Sequence, residues 1–310
     1  MHDRQLEAVV EQFEPGATLR FARPLQGGIS ANMSALDIGL PNGRARSVVL
    51  RQPNKSTFAE RQSAAAEEFA VLRVVHQEGL PVPEPLLLDV SGDILPDPYL
   101  LLSYLDGHAE YSTETLDTAA LKARMLARIH RVAPSLPAVA ALRRPQRAFA
   151  SRLQALPPDP ASPVDEWGIR QALEPFWTSL PSNHSVLLHG DYWPGNLLWK
   201  NGRLVGVVDW EDASIGDPLA DLAISRLDTL LIFGADAMAE FTSAYASVSG
   251  VNMTDLPYWD LCAALRDAPA LATWAVGFRA LGRPDLTEAR LRDALIWFTD
   301  QAMETLAGRQ

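Results

Sequence analysis

The chain has 310 residues, 47% of them hydrophobic and 21% charged, which is close to the globular average and excludes wholesale disorder. Lys and Arg number 27 against 38 Asp and Glu, a net charge of −11 that is the wrong sign for neutralising nucleic-acid phosphates and more compatible with a small cationic ligand. Cys262 is the single cysteine, so internal disulfides and cysteine-cluster metal sites are excluded, and no apolar run has the length of a membrane span or a signal-peptide core. A cytoplasmic protein with neither nucleic acid nor membrane as partner is the expectation, with the oligomeric state unspecified.

Taken in chain order, the first hundred residues read as a small sheet with one prominent helix. Leu36–Leu40 and Ser47–Arg51 flank the turn residues Pro41-Asn42-Gly43 and predict a hairpin. Glu60–Gln77 is alanine-rich and helical, and Gly79, Pro81 and Pro83 end it. Leu86–Asp89 and Tyr99–Tyr104 are two more short apolar strands. After Gly107 the pattern turns helical, over Leu116–Arg131, Ile169–Leu180, Asp221–Phe233, Ala235–Val248 and Leu286–Ala307. Proline-rich Leu156–Pro163 reads as a loop. The expected division is a β-rich N-lobe over 1–104 and a helical C-lobe over 105–310, joined near Ser103–Gly107, in an α+β fold.

One island of strand interrupts the helices, and it carries the chemistry. Val186-Leu187-Leu188 runs into His189-Gly190-Asp191, and Asn196 follows before a second apolar strand. Asn201-Gly202 then marks a hairpin turn, and the returning strand ends in Asp209-Trp210-Glu211. A hairpin folded there pairs residues whose numbers add to about 403. Asn196 would lie opposite Val207, with Asp209 just beyond and Asp191 in the turn leading to the same end. Two carboxylates and an amide would converge. Oxygen donors of this kind suit Mg²⁺, which takes one or two protein groups plus substrate phosphates, and a second carboxylate leaves one free to handle a proton.

This pattern resembles the aminoglycoside phosphotransferase family, whose fold is protein-kinase-like. The resemblance rests on His189-Gly190-Asp191, Asn196 and Asp209, and on further segments in order along most of the chain. It implies that Asp191 is the catalytic base and that Asn196 and Asp209 hold Mg²⁺. Gly27, Gly28 and Ser30 lie in a segment similar to the family's phosphate-covering turn. Tyr99–Gly107 is similar to the interlobe hinge, so the backbone of Ser103 and Leu105 would pair with adenine. Asp217–Ala223 matches the segment that follows the metal-binding Asp. Kinase-like sites need a cation on the third strand paired with a helix glutamate. Val48-Val49-Leu50-Arg51 supplies Arg51, where most of the family has Lys, a variant similar to the branch related to acyl-CoA-dehydrogenase-linked phosphotransferases. On a helical wheel Ala65, Phe69, Leu72 and His76 form one stripe with Glu68 at its edge and Glu67 on the far side, which selects Glu68 as the partner.

Several neighbouring residues have plainer readings. His189 reads as a brace for the loop, Glu211 as an outer-shell or structural group, Asp217 as the N-cap of a helix that begins with Pro218, and Asp221 as a support for the loop. Trp199, Trp210 and Cys262 read as core, Trp193 as the aromatic nearest the chemistry, and Arg143, Arg144 and Arg147 as a solvated basic face. The sequence therefore predicts a small-molecule kinase that moves the γ-phosphate of ATP, with GTP as the other candidate nucleotide, to a hydroxyl acceptor for which a cationic molecule is one candidate. The alternative is a nucleotide-binding pseudokinase or scaffold on the same fold. A metal-dependent hydrolase using His189 and Asp191 is a third and weaker reading.

Overall fold

The computed structural model describes residues 3–25, 31–112, 116–143, 158–178 and 183–309. They divide into two compact units, one formed by Met1–Gly107 with Lys200–Glu211 and the other by His108–Trp199 with Asp212–Gln310. The first unit thus takes back a segment that the expected boundary at 104/105 assigned wholly to the C-lobe. The cause is local: Val207 N–H donates to the Pro81 carbonyl at 2.7 Å, and Asp209 and Glu211 both pair with Arg51.

In the first unit, helix α1 (Asp3–Phe13) precedes an antiparallel sheet of strands β1 (Thr18–Pro24), β2 (Ala31–Gly39), β3 (Ala45–Pro53), β4 (Pro85–Asp89) and β5 (Tyr99–Ser103), in the order β1-β2-β3-β5-β4. Alternation along the strands puts Leu36 and Ile38 of β2 with Val48 and Leu50 of β3 in a core that Leu6, Val9 and Val10 of α1 complete. Arg51 follows Leu50 and so projects from the opposite face of β3. There it meets helix α2 (Phe58–Gln77). The buried face of α2 is Ala65, Glu68, Val71, Leu72 and Val75, whereas Phe69 is half-buried and His76 exposed. The helix is rotated from the expected stripe, and Glu68 sits within the buried face rather than at its edge.

The second unit is mainly helical: α3 (Leu116–Ile129), α4 (Pro137–Ala140), α5 (Glu166–Thr178), α6 (Pro218–Phe233), α7 (Ala235–Ser249), α8 (Leu256–Asp267), α9 (Leu271–Ala280) and α10 (Glu288–Ala307). Strand β6 (His108–Ala109) pairs antiparallel with β8 (Leu197–Lys200), and β7 (Val186–Leu188) with β10 (Ser214–Gly216). Between β8 and β9 (Arg203–Val207), Asn201 and Gly202 have φ of 51° and 73°, the two positive values that a tight primed turn requires. Helix α6 begins three residues before its expected start because Asp217 caps it, accepting from Leu219 N–H at 2.9 Å, with Pro218 in the first turn. Helices α1, α4 and α9 have no counterpart in the sequence reading, which gives α8 no bounds. Among the described residues no helix is long and apolar enough to cross a membrane.

Helix α2 holds Glu68, and its start is fixed by a reciprocal cap. Thr57 Oγ1 accepts from Glu60 N–H, while Glu60 Oε2 accepts from Thr57 N–H. Thr57→Ala should lower stability by about 0.5–2 kcal/mol in urea unfolding, the usual cost of losing an N-cap; an unchanged midpoint would show that the helix start is held by other contacts.

Candidate active site

Within the first unit, the site is organised around Arg51, which is 3% exposed. Its Nε donates to Glu68 Oε2 at 2.8 Å, and its Nη2 donates to Asp209 Oδ1 at 2.7 Å and to Glu211 Oε2 at 3.2 Å. Glu211 Oε1 lies 3.6 Å from Lys55 Nζ. Burial works against the Arg51 charge, but Glu68, Asp209 and Glu211 more than restore it and hold its pKa above the ordinary arginine range. Burial pushes the Glu68 carboxyl above its ordinary range against the pull of Arg51. A buried ion pair of this kind gains little over an apolar replacement, while removing one partner costs about 3–5 kcal/mol. Such a cluster makes sense as a device that holds a cation in place. Asp209 itself adopts φ of 65°, a left-handed conformation uncommon for a non-glycine residue and a mark of a constrained site.

The second unit builds the loop after β7. Asp221, 1% exposed at the start of α6, accepts from His189 N–H at 2.7 Å and from Gly190 N–H at 2.9 Å, one bond to each carboxylate oxygen. His130 Nε2 lies 3.3 Å from the same carboxylate, and its Nδ1 is 2.6 Å from the Tyr245 hydroxyl. Burial alone would raise the Asp221 pKa; the hydrogen bond and charge of His130 and the loop contacts instead hold it below the usual carboxylate range. Gly190 has φ of 84°, and a Cβ there would fall 2.2 Å from the Asp212 carbonyl oxygen, so both backbone and space demand glycine between His189 and Asp191. His189 is fully buried, and its Nδ1 accepts from Asp191 N–H at 3.3 Å, the bracing geometry expected of it. Asn196 Nδ2 donates to the Asp191 carbonyl at 2.9 Å and to Asp191 Oδ2 at 3.1 Å. The amide is thereby oriented with its nitrogen toward Asp191, which leaves its oxygen as a hard donor suited to Mg²⁺.

Gly27, Gly28, Ser30, Arg144 and Arg147 lie outside the described residues. Ser103 is the last residue of β5: its backbone N–H donates to the Glu84 carbonyl at 2.9 Å and its hydroxyl accepts from Glu84 N–H at 2.8 Å. The Leu105 carbonyl accepts from Gly107 N–H at 3.1 Å. Trp199, Trp210 and Cys262 are buried, and Arg143 pairs with Asp212. The Trp193 ring lies 5.9 Å from Tyr111 and covers Gly195, where a Cβ would collide with the indole.

Sequence reasoning missed Arg266 and Asp267, at the end of α8. Arg266 Nη2 donates to Asp191 Oδ1 at 3.1 Å and its Nε lies 3.6 Å from Asp267 Oδ1. Seventy-five residues separate Arg266 from Asp191, and no local pattern flags a residue that only the fold delivers. Asp267 is 3% exposed; burial pushes its pKa up to about 6, Arg266 pulls it down in part, and Asp191 adds to the rise. An unfolded Asp titrates near 3.9, so the folded chain binds the extra proton and loses stability as pH rises through about 6. Asp267→Asn should remove this loss, gaining on the wild type by on the order of 1 kcal/mol between pH 4 and 7. Thermal melts of both proteins across that range check it, and a constant difference would refute it.

The sequence model described as the phosphotransferase enzyme family matches residues 22–265. Acyl-CoA dehydrogenase family member 10 of Mus musculus is 26% identical over 205 residues, 59% of this chain and 18% of that protein. Viomycin phosphotransferase of Streptomyces vinaceus is 30% identical over 213 residues, 60% of this chain and 71% of that protein. The matches span under a third of the length of the acyl-CoA dehydrogenase relatives. Among solved structures, the GDP and kanamycin complex of APH(2″)-IIIa has a TM-score of 0.62 at 16% identity, covering 97% of this chain and 96% of that one, a likeness of fold.

Proposed function

The chain belongs to the phosphotransferase enzyme family, and from that membership we propose that it moves the γ-phosphoryl group of a purine nucleotide to a hydroxyl of a small molecule. The observation that carries this reading is the buried Arg51, tied at once to a helix glutamate and to the aspartate two residues past β9. Phosphoryl transfer asks mainly for positioning and charge neutralisation, and the residues divide along those lines. Arg51, steadied by Glu68, neutralises phosphate oxygens; its planar fork suits two oxygens where a lysine would offer a point charge. Binding must draw Arg51 Nη2 from Asp209 to phosphate, and Glu211 is the second carboxylate that keeps its charge compensated meanwhile.

Asp209 and Asn196 would supply oxygen ligands for Mg²⁺, which would screen the phosphate charge. Asp191 receives the proton of the acceptor hydroxyl, held in place by Asn196 on one side and by the loop that Asp221 clamps on the other. By the family resemblance Gly27, Gly28 and Ser30 would contact the phosphates and the backbone of Ser103 and Leu105 the base, with ATP as the nucleotide and GTP as the alternative. An acceptor with an amino group suits the carboxylate of Asp191.

Calorimetric titration of Mg·ATP into the wild type and Asp209→Asn tests the nucleotide half. Saturable binding that weakens at least about tenfold in the variant is expected, the loss of one charge-assisted contact. A panel of alcohols scored by ADP release tests transfer: Asp191→Asn should keep nucleotide binding and lose about 10²-fold or more of acceptor-dependent turnover. Full turnover in both variants would sink the assignment, and binding with no turnover across the panel would favour a pseudokinase.

A further inference from the structure

Both oxygens of the Asp191 carboxylate are engaged. Oδ2 accepts from the Asn196 amide at 3.1 Å, and Oδ1 accepts from Arg266 Nη2 at 3.1 Å. Arg266 does not depend on that contact alone. Its Nη1 donates to the Gly190 carbonyl at 3.3 Å, and its Nε lies 3.6 Å from Asp267 Oδ1. The guanidinium, always charged at working pH, can therefore leave Asp191 without losing its countercharge. Over a third of the Arg266 side chain is exposed, so the group has room to move.

We propose that Arg266 is a positioning residue that sets acceptor specificity, capping Asp191 against water and yielding its place on Oδ1 to an alcohol acceptor. The inference rests on Asp191 being the base of the reaction proposed above. An acceptor hydroxyl must approach a carboxylate oxygen of Asp191 to pass on its proton. A molecule with contacts elsewhere in the site spends part of its binding energy on displacing the guanidinium. Water has no such contacts and meets a base already occupied. Without the cap, a water oxygen bonds to the γ-phosphorus, the bond from that phosphorus to the β-bridging oxygen breaks, and the water proton passes to Asp191, giving ADP and inorganic phosphate. Arg266 holds this futile hydrolysis down.

The test is ADP release from Mg·ATP with no alcohol present, measured beside calorimetric binding of Mg·ATP. The proteins are the wild type, Arg266→Ala, Arg266→Met, which keeps the aliphatic stem, and Arg266→Ala combined with Asp191→Asn. Release should rise in both single variants, between a few-fold and about 100-fold, the lower end of what a positioned base contributes. The KM for ATP should stay the same, and the rise should vanish in the double variant. Damage to a merely structural contact would lower the rate instead. Unchanged or slower release with intact binding overturns the proposal while leaving the phosphotransferase reading in place. A rise that survives the loss of Asp191, or unfolding of both single variants, overturns it as well. A wild type that binds no Mg·ATP fails the functional reading itself, and the cap falls with it.

Discussion

The buried guanidinium of Arg51 is the constraint on which the first unit is arranged. A cation removed from water must be surrounded by acceptors, and the acceptors here come from two distant parts of the chain. Glu68 arrives on a capped helix, while Asp209 and Glu211 arrive on the far side of a hairpin more than 150 residues away in sequence. The segment Lys200–Glu211 therefore folds with the first unit although its neighbours on both sides belong to the second. Both kinds of contact hold the segment: Val207 is fully buried with its N–H on the Pro81 carbonyl, and the carboxylates that pair with Arg51 lie just beyond it.

A second carboxylate performs the same service for the loop after β7. Asp221 gathers two consecutive backbone N–H groups and a histidine into one buried site, and this fixes the chain direction on either side of Gly190. The glycine is required because the Asp212 carbonyl occupies the space a side chain would need. Asp191 is thus aimed by its neighbours rather than by its own packing. Its two carboxylate oxygens are divided between an amide and a guanidinium, so the group is presented already hydrogen-bonded. The acidic residues behind Arg266 complete the arrangement by giving that cation a resting place.

Much of this was legible before folding. The alternation of β3 places Arg51 opposite the core residues Val48 and Leu50, and the helical period leaves Glu68 but not Glu67 able to turn toward the sheet. The tripeptide His189-Gly190-Asp191, the spacing to Asn196 and the Asn201-Gly202 turn are all local chemistry, since a turn or a strand end is decided by a few adjacent residues. One local contact left no mark in the sequence: Ser103 N–H donates to the Glu84 carbonyl and its hydroxyl accepts from Glu84 N–H.

By itself, then, the sequence determined the α+β order of elements, the strand–loop–hairpin that carries Asp191, Asn196 and Asp209, and the face of β3 that bears Arg51. The tertiary structure alone decided that Lys200–Glu211 joins the first unit, that His130 and Tyr245 support Asp221, and that Arg266 caps Asp191 with Asp267 behind it. The physical reason is the range of the forces that leave a trace in sequence. Periodicity and turn chemistry act between near neighbours and write a repeating pattern. A charge pair between residues 75 or 158 positions apart needs one residue of each sign, and any of 65 charged side chains could have supplied it.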